Sequence, residues 1–311
     1  MIRSILLATA ALVSLGGAAD AQQVEVQTAP GFADFIAVDG DGIWVTNRGR
    51  VEHWSRKGKL GEVPLARPCG AMAIMGDALW VANCGDGTLA RIDRASAKLA
   101  ATIPTGIANQ KEGELNVVAG AGSIWLASDA KGVVSRIDPA TNKVIATIAV
   151  DPATTYLAYG LDAVWAASPQ SQMLQRIDPK TNKVTGKVAL GRGPGFLAAG
   201  EGAVWIQEQV DGTLVKVDPQ TMAIAGRLKL GANLKWGDID TGAGKVWLRT
   251  TDDQVFVVVD AATMAVDARL GKAAGSGALR FTQDGIWTSA HDEHTLSWWP
   301  KQDWKAVAAK P

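Results

Sequence analysis

Two of the chain's three histidines, His291 and His294, stand on either side of Asp292 and Glu293 in the run SAHDEHTL. An imidazole nitrogen beside a carboxylate can hold a divalent ion with a coordination position left open for substrate. His291 and His294 are therefore the candidate metal ligands, and His291, Glu293 and Glu208 the candidate acid–base groups. A solvated polar loop is the competing reading, because the spacing is no metal signature by itself. Arg192 and Arg249 could steady developing negative charge. With Glu208, Trp236, Asp238 and His291 they form the candidate ligand-binding set, rich in blades five to seven of the repeat described next, where a pocket is expected.

Positioning these groups requires a scaffold, and the chain spells one out. A tryptophan preceded by an aliphatic residue recurs as Trp44, Trp80, Trp125, Trp165, Trp205, Trp247 and Trp287, at spacings of 36, 45, 40, 40, 42 and 40 residues. That is the period of a four-stranded propeller blade. Seven copies predict an all-β, seven-bladed β-propeller of antiparallel blades, with the tryptophans as structural core. Eight residues before each tryptophan stand Ile36, Met72, Val117, Leu157, Leu197, Ile239 and Leu279 in the innermost strand, A. Strand B carries the tryptophan, strand C reads as in VVSRID, and Asp-Pro turns lead into strand D. The strand that completes blade seven is either the N-terminal VEVQTA from Val24, which is favoured, or DWKAVAA from Asp303.

The repeat also says which side chains arrive at one rim of the central channel. Strand A starts there with Asp34, Cys69, Glu114, Thr155, Pro194, Trp236 with Asp238, and Ser276. Seven residues before the tryptophan, five blades place Ala or Val, whereas blades six and seven place Asp240 and Arg280. These two should form an ion pair lining the channel. His53, in strand C of blade one, reads as a surface or blade-packing residue. Cys69 and Cys84 flank the hairpin turn at Gly76-Asp77 in mirror register. Directly opposed strand residues come close enough for a disulfide.

The first 21 residues read as a secretory signal peptide: Arg3, an apolar run from Ile5 to Val13, then the small-x-small Ala19-Asp20-Ala21. Removing them from 311 leaves a single domain, residues 22–311, with a periplasmic or secreted destination that favours the disulfide. The formal net charge is zero, which announces neither nucleic acid nor anionic lipid as partner. No later stretch is long and apolar enough to span a membrane. A monomer that binds a small molecule or a periplasmic protein is expected.

Repeats such as GDALWVANCGDGTLARID and GEGAVWIQEQVDGTLVKVDPQT resemble those of the YVTN-type seven-bladed propellers and, within them, the streptogramin (virginiamycin B) lyase-like proteins. The likeness covers the whole mature chain. It implies a magnesium-dependent elimination that opens a cyclic depsipeptide, with a histidine in a Pro-His-Gly element at the start of a strand A and glutamates near the end of a strand B. Here that element is Pro68-Cys69-Gly70, and the matching glutamate is Glu208. The lyase set is thus not carried over intact. Two readings follow: a recognition module that performs no chemistry, or a metal-dependent lyase or hydrolase with a divalent ion as cofactor.

Overall fold

The structure is a computed structural model, and it describes residues 24–105, 114–129, 131–252 and 256–302. The signal-peptide residues and the DWKAVAA segment lie outside them. Strands in blade one run Ile36–Asp39, Gly42–Asn47, Arg50–Ser55 and Gly58–Pro64, paired in that order from hub to periphery. The same A-B-C-D order repeats through blade six, whose strands are Asp238–Gly242, Lys245–Arg249, Phe256–Asp260 and Val266–Leu270. Blade seven contributes Leu279–Thr282, Gly285–Ala290 and Thr295–Pro300, and its fourth strand is Glu25–Thr28, paired antiparallel with Glu25 opposite Trp298 and Thr28 opposite Thr295. The N-terminal strand closes the ring.

All seven repeated tryptophans are buried, none more than 2% exposed. Five face a small strand A residue of their own blade, as Ala37 faces Trp44, Val118 Trp125 and Ala198 Trp205, whereas Trp247 faces Asp240 and Trp287 faces Arg280. Four of the indoles also donate Nε1–H to the glycine carbonyl five residues earlier, Trp125 to Gly120, Trp165 to Gly160, Trp205 to Gly200 and Trp247 to Gly242, at 3.0–3.1 Å. The indole is thereby fixed at both ends, its ring in the core and its polar tip on its own blade. Glycine at this place serves packing between blades. A Cβ on Gly120 would fall 2.1 Å from the Tyr159 ring of blade four, and one on Gly242 would fall 2.2 Å from Phe281 of blade seven.

A cation from strand C covers the other face of several tryptophans, Arg91 over Trp80, Arg136 over Trp125, Arg176 over Trp165 and Lys216 over Trp205. Three of these side chains then reach the next blade. Arg136 donates to the Pro179 carbonyl (2.6 Å) and to Asn182 Oδ1 (2.9 Å), Arg91 to Pro139 and Asn142, and Lys216 to the Ala261 carbonyl. The Asp-Pro turn is thus a docking point for its neighbour as well as a chain reversal. In blade one His53 takes the cation's place and stacks on Trp44, centroids 4.3 Å apart, as a packing residue should.

Cys69 and Cys84 form a disulfide with Cα atoms 6.0 Å apart, by a geometry other than the one expected. The hairpin register holds from Met75–Ala78 to Ala73–Trp80, but Pro68 bridges Asn83 rather than Gly85. Cys69 N–H donates to the Ala82 carbonyl, and Cys84 N–H to that of Arg67. A slip of two residues therefore separates the strand from its run-in, and the bridge joins diagonal neighbours instead of opposed ones.

Candidate functional site

At the rim where the A strands begin, the channel widens into a cavity of about 620 Å3. Its walls include Phe32, Asp34, Phe35, Asn47 and Arg48 from blade one, Arg67 to Gly70 from blade two, Glu114 from blade three, Ala153, Thr155, Tyr156 and Pro169 from blade four, and Trp236 from blade six. The pocket expected over blades five to seven is thus displaced to blades one to four. Strand A starts do line it, as the repeat implied. What the repeat could not give is which connecting segments swing inward.

Three rings narrow the channel below this cavity. Phe196 of blade five lies 4.7 Å from Tyr156 and 6.0 Å from Phe35, centroid to centroid, and both phenylalanines are buried. The throat they leave holds about 10 Å3, room for about one water. Beneath it a second cavity of about 310 Å3 is lined by strand A residues and by Asp238, Asp240 and Arg280.

Asp34 and Glu114 sit at the floor of the upper cavity, bordering both it and the throat. No hydrogen bond reaches either carboxylate from the described residues. Their surroundings favour the protonated forms. Burial pushes the Asp34 carboxyl well up, Glu114, Asp238 and Asp292 push the same way, and Arg249 only partly opposes them. Burial, helped by Asp238, raises Glu114 to about 7. Tyr156 is also raised, by burial and by Glu114. Two carboxyl groups held this way in a cavity mark a candidate functional site.

Over them stands Trp236, 66% exposed with a left-handed backbone of φ 60°. A bulky residue is rarely held in that region without over-determination by its surroundings. Here Ser276 Oγ, and more weakly Gly277 N–H, donate to its carbonyl. A large aromatic surface is thus presented at the cavity mouth by a fixed backbone. Arg48 lies over the Phe32 ring, 5.4 Å from its centroid, on the blade one wall.

The remaining candidates lie elsewhere. Glu208 is buried within blade five, accepting from Gly191 N–H (2.6 Å) and Arg227 (3.2 Å). A side chain at Gly191 would collide with it, so the pair is a strut between strand B and the chain leaving strand D. Arg192 is an exposed partner of Asp211 at 2.7 Å. Arg249 is fully buried and donates to the Ser289 and Thr250 carbonyls, with burial lowering its pKa to about 10. Asp238 accepts from Leu279 N–H and pairs with Arg280. The expected Asp240–Arg280 pair is thereby corrected: Asp240 accepts from the backbone of Phe281 (2.9 Å) instead. Neighbouring A strands are offset by one residue, 238 meeting 279 and 240 meeting 281, so Arg280 leans to the acid on the rim side.

The HDEH run forms a turn, with Glu293 N–H donating to Ala290 and His294 N–H to His291. Glu293 and His294 point to solvent. His291 stacks on Phe32 at 3.8 Å, with Nδ1 3.0 Å from Asp292, and burial lowers its pKa. It packs where blade seven meets blade one and does not converge with Glu208. Among the described residues no three His, Cys, Asp or Glu side chains are grouped to hold a metal ion. The residues present therefore do not fit the divalent ion that the lyase resemblance implies. Cys69 is committed to the disulfide. No helix of the described residues is long and apolar enough to cross a membrane.

Similarity in three dimensions agrees with the blade count. A catalytically inactive virginiamycin B lyase from Staphylococcus aureus, solved with quinupristin, superposes with a TM-score of 0.74 over 90% of this chain and 100% of its own, at 15% identity. A streptogramin B lyase gives 0.75 over 89% and 96%, at 13% identity. The chain shares the streptogramin B lyase fold. At such identities the likeness is of fold alone, and a fold does not by itself carry a function. Neither a family model nor a curated protein matches the sequence.

Proposed function

We propose that this chain is an exported recognition propeller that binds a small amphipathic molecule in the upper cavity and does not transform it. The observation that carries the reading is the cavity itself: about 620 Å3, within the range of small-molecule sites, with aromatic walls, two carboxyl groups facing in at the floor and an exposed tryptophan at the mouth. Export is supported by the N-terminal sequence and by the disulfide. Groups for the metal-dependent alternative are dispersed, Glu208 in blade five and His291 at the ring closure.

Calorimetric titration of wild type and Trp236→Ala tests the reading, with a panel of amphipathic small molecules that includes quinupristin, the ligand of the structurally similar lyase. The expected result is saturable binding that Trp236→Ala weakens tenfold or more, with the ligand recovered at unchanged chromatographic retention, since a ring-opening elimination leaves the mass the same. Ring-opened product would install the lyase reading in its place. Binding that ignores Trp236 would remove the cavity from the account.

A further inference from the structure

Resting on that reading, we propose that the ligand carries a cationic ammonium or guanidinium group that docks between Asp34 and Glu114, while its apolar body lies against Phe32, Tyr156 and Trp236. The two acids come from different blades and from segments 80 residues apart in sequence, yet they border the same cavity and the same throat. Neither carboxylate receives a hydrogen bond from the described residues. Both side chains are partly exposed to the cavity, so a donor brought by a ligand can reach them directly.

The charges facing the floor settle the sign of the ligand. Asp34 is faced by Glu114, Asp238 and Asp292, with Arg249 as the opposing cation. Arg249 is wholly buried and bonded to the Ser289 and Thr250 carbonyls. Glu114 is faced by Asp238 and by the Tyr156 hydroxyl. Arg280 is drawn to Asp238 and Asp240 below. Arg48 and Arg67 belong to the outer wall, where they meet whatever end of the ligand points away from the floor. Asp34, Glu114 and Asp238 already oppose ionisation at the floor, and an anionic group there would oppose it further. A cation relieves them.

The empty site has a defined proton content, which makes the idea measurable. Glu114 titrates at about 7 and Asp34 above its ordinary range, so near neutrality the floor retains protons that an entering cation displaces. Affinity for a cation then rises with pH, up to tenfold per pH unit for each proton released.

Three probes with one aromatic body serve as the test: 2-phenylethylamine, 2-phenylethanol and 3-phenylpropanoate. Each is titrated into the wild-type protein at about pH 6 and about pH 8, a window in which the amine stays charged, with Glu114→Gln and Asp34→Asn as variants checked by thermal unfolding. The expected result is that the amine binds at least tenfold more tightly than the alcohol at the higher pH, loses affinity towards the lower, and is the only probe that either variant weakens. Equal binding of amine and alcohol, or preference for the propanoate, overturns the cation and leaves the cavity standing. If no probe binds at millimolar concentration, cavity and cation fall together. Stabilisation of wild type, but not of Glu114→Gln, by magnesium or calcium ions would replace the organic cation with a metal and overturn the proposal as stated. The probe and pH comparisons on wild type hold even if a variant fails to fold.

Discussion

Replacing Glu114 with glutamine should make the protein more stable, and only above mildly acidic pH. Glu114 is raised from 4.5 to about 7, chiefly by burial. A carboxyl whose folded pKa lies above its unfolded one favours folding fully below the unfolded value and loses that contribution as pH climbs through the folded value. At about 1.4 kcal/mol per tenfold change in proton affinity, the climb from 4.5 to about 7 corresponds to about 3.4 kcal/mol. Water in the cavity screens part of this, leaving about 2–3 kcal/mol. Glu114→Gln keeps the shape and removes the charge, so wild type and variant should match near pH 4.5 and diverge up to about pH 8, the variant ending about 5 °C higher in Tm, at about 2 °C per kcal/mol for a chain of this size. Thermal unfolding followed by near-ultraviolet circular dichroism across that range is the assay. Parallel pH profiles, or a variant less stable at pH 8, would refute the claim that Glu114 is held against its preference. A residue whose removal stabilises the fold is retained for something other than the fold.

Other outcomes follow from the scaffold. Reducing the Cys69–Cys84 bridge, which closes a 15-residue separation, should cost about 3 kcal/mol, read as the difference in denaturant midpoint with and without reductant. Arg136→Ala should cost about 1–3 kcal/mol through two lost bonds to blade four and the uncovered face of Trp125. Arg176→Ala should cost clearly less, because its Nε has no partner and it stands farther from Trp165 (6.0 Å against 4.8 Å); paired urea titrations compare the two. Deleting residues 24–28 from the mature chain should lower Tm by at least 10 °C, since it strips blade seven of its fourth strand and the ring of its closure; a smaller loss would show that another segment can take that place.

The wheel was legible because seven tryptophans repeat one environment, and a repeat encodes radius and height directly. Closure by Val24 onward was legible for the same reason, since that segment matches strand D of other blades. The site was harder. The repeat placed Asp34, Glu114 and Trp236 at the rim but gave no reason to prefer them to Glu208 or His291, because polarity alone does not say whether a side chain turns to the hub or into its blade. Glu208 turned inward to meet the Gly191 backbone, and His291 lay flat on Phe32. The disulfide was read correctly from register and compartment, yet its geometry depends on a two-residue slip at Pro68 that symmetry about Gly76-Asp77 does not contain. Arg280 is attracted by Asp240 as expected but makes its close contact with Asp238, through a one-residue stagger between neighbouring inner strands. In each case the period fixed the address and a local backbone detail decided the contact.

The Phe35, Tyr156 and Phe196 rings give the molecule a sidedness that its near-symmetric wheel conceals. With these rings packed across the axle at mid-height, the upper cavity has a floor among the described residues, so the hub is a cup rather than a pipe. A guest must depart by the route it entered, past the indole at the lip. Dwell time would then be governed by one short turn around residue 236, and changes there would alter the escape rate more than the grip of the floor.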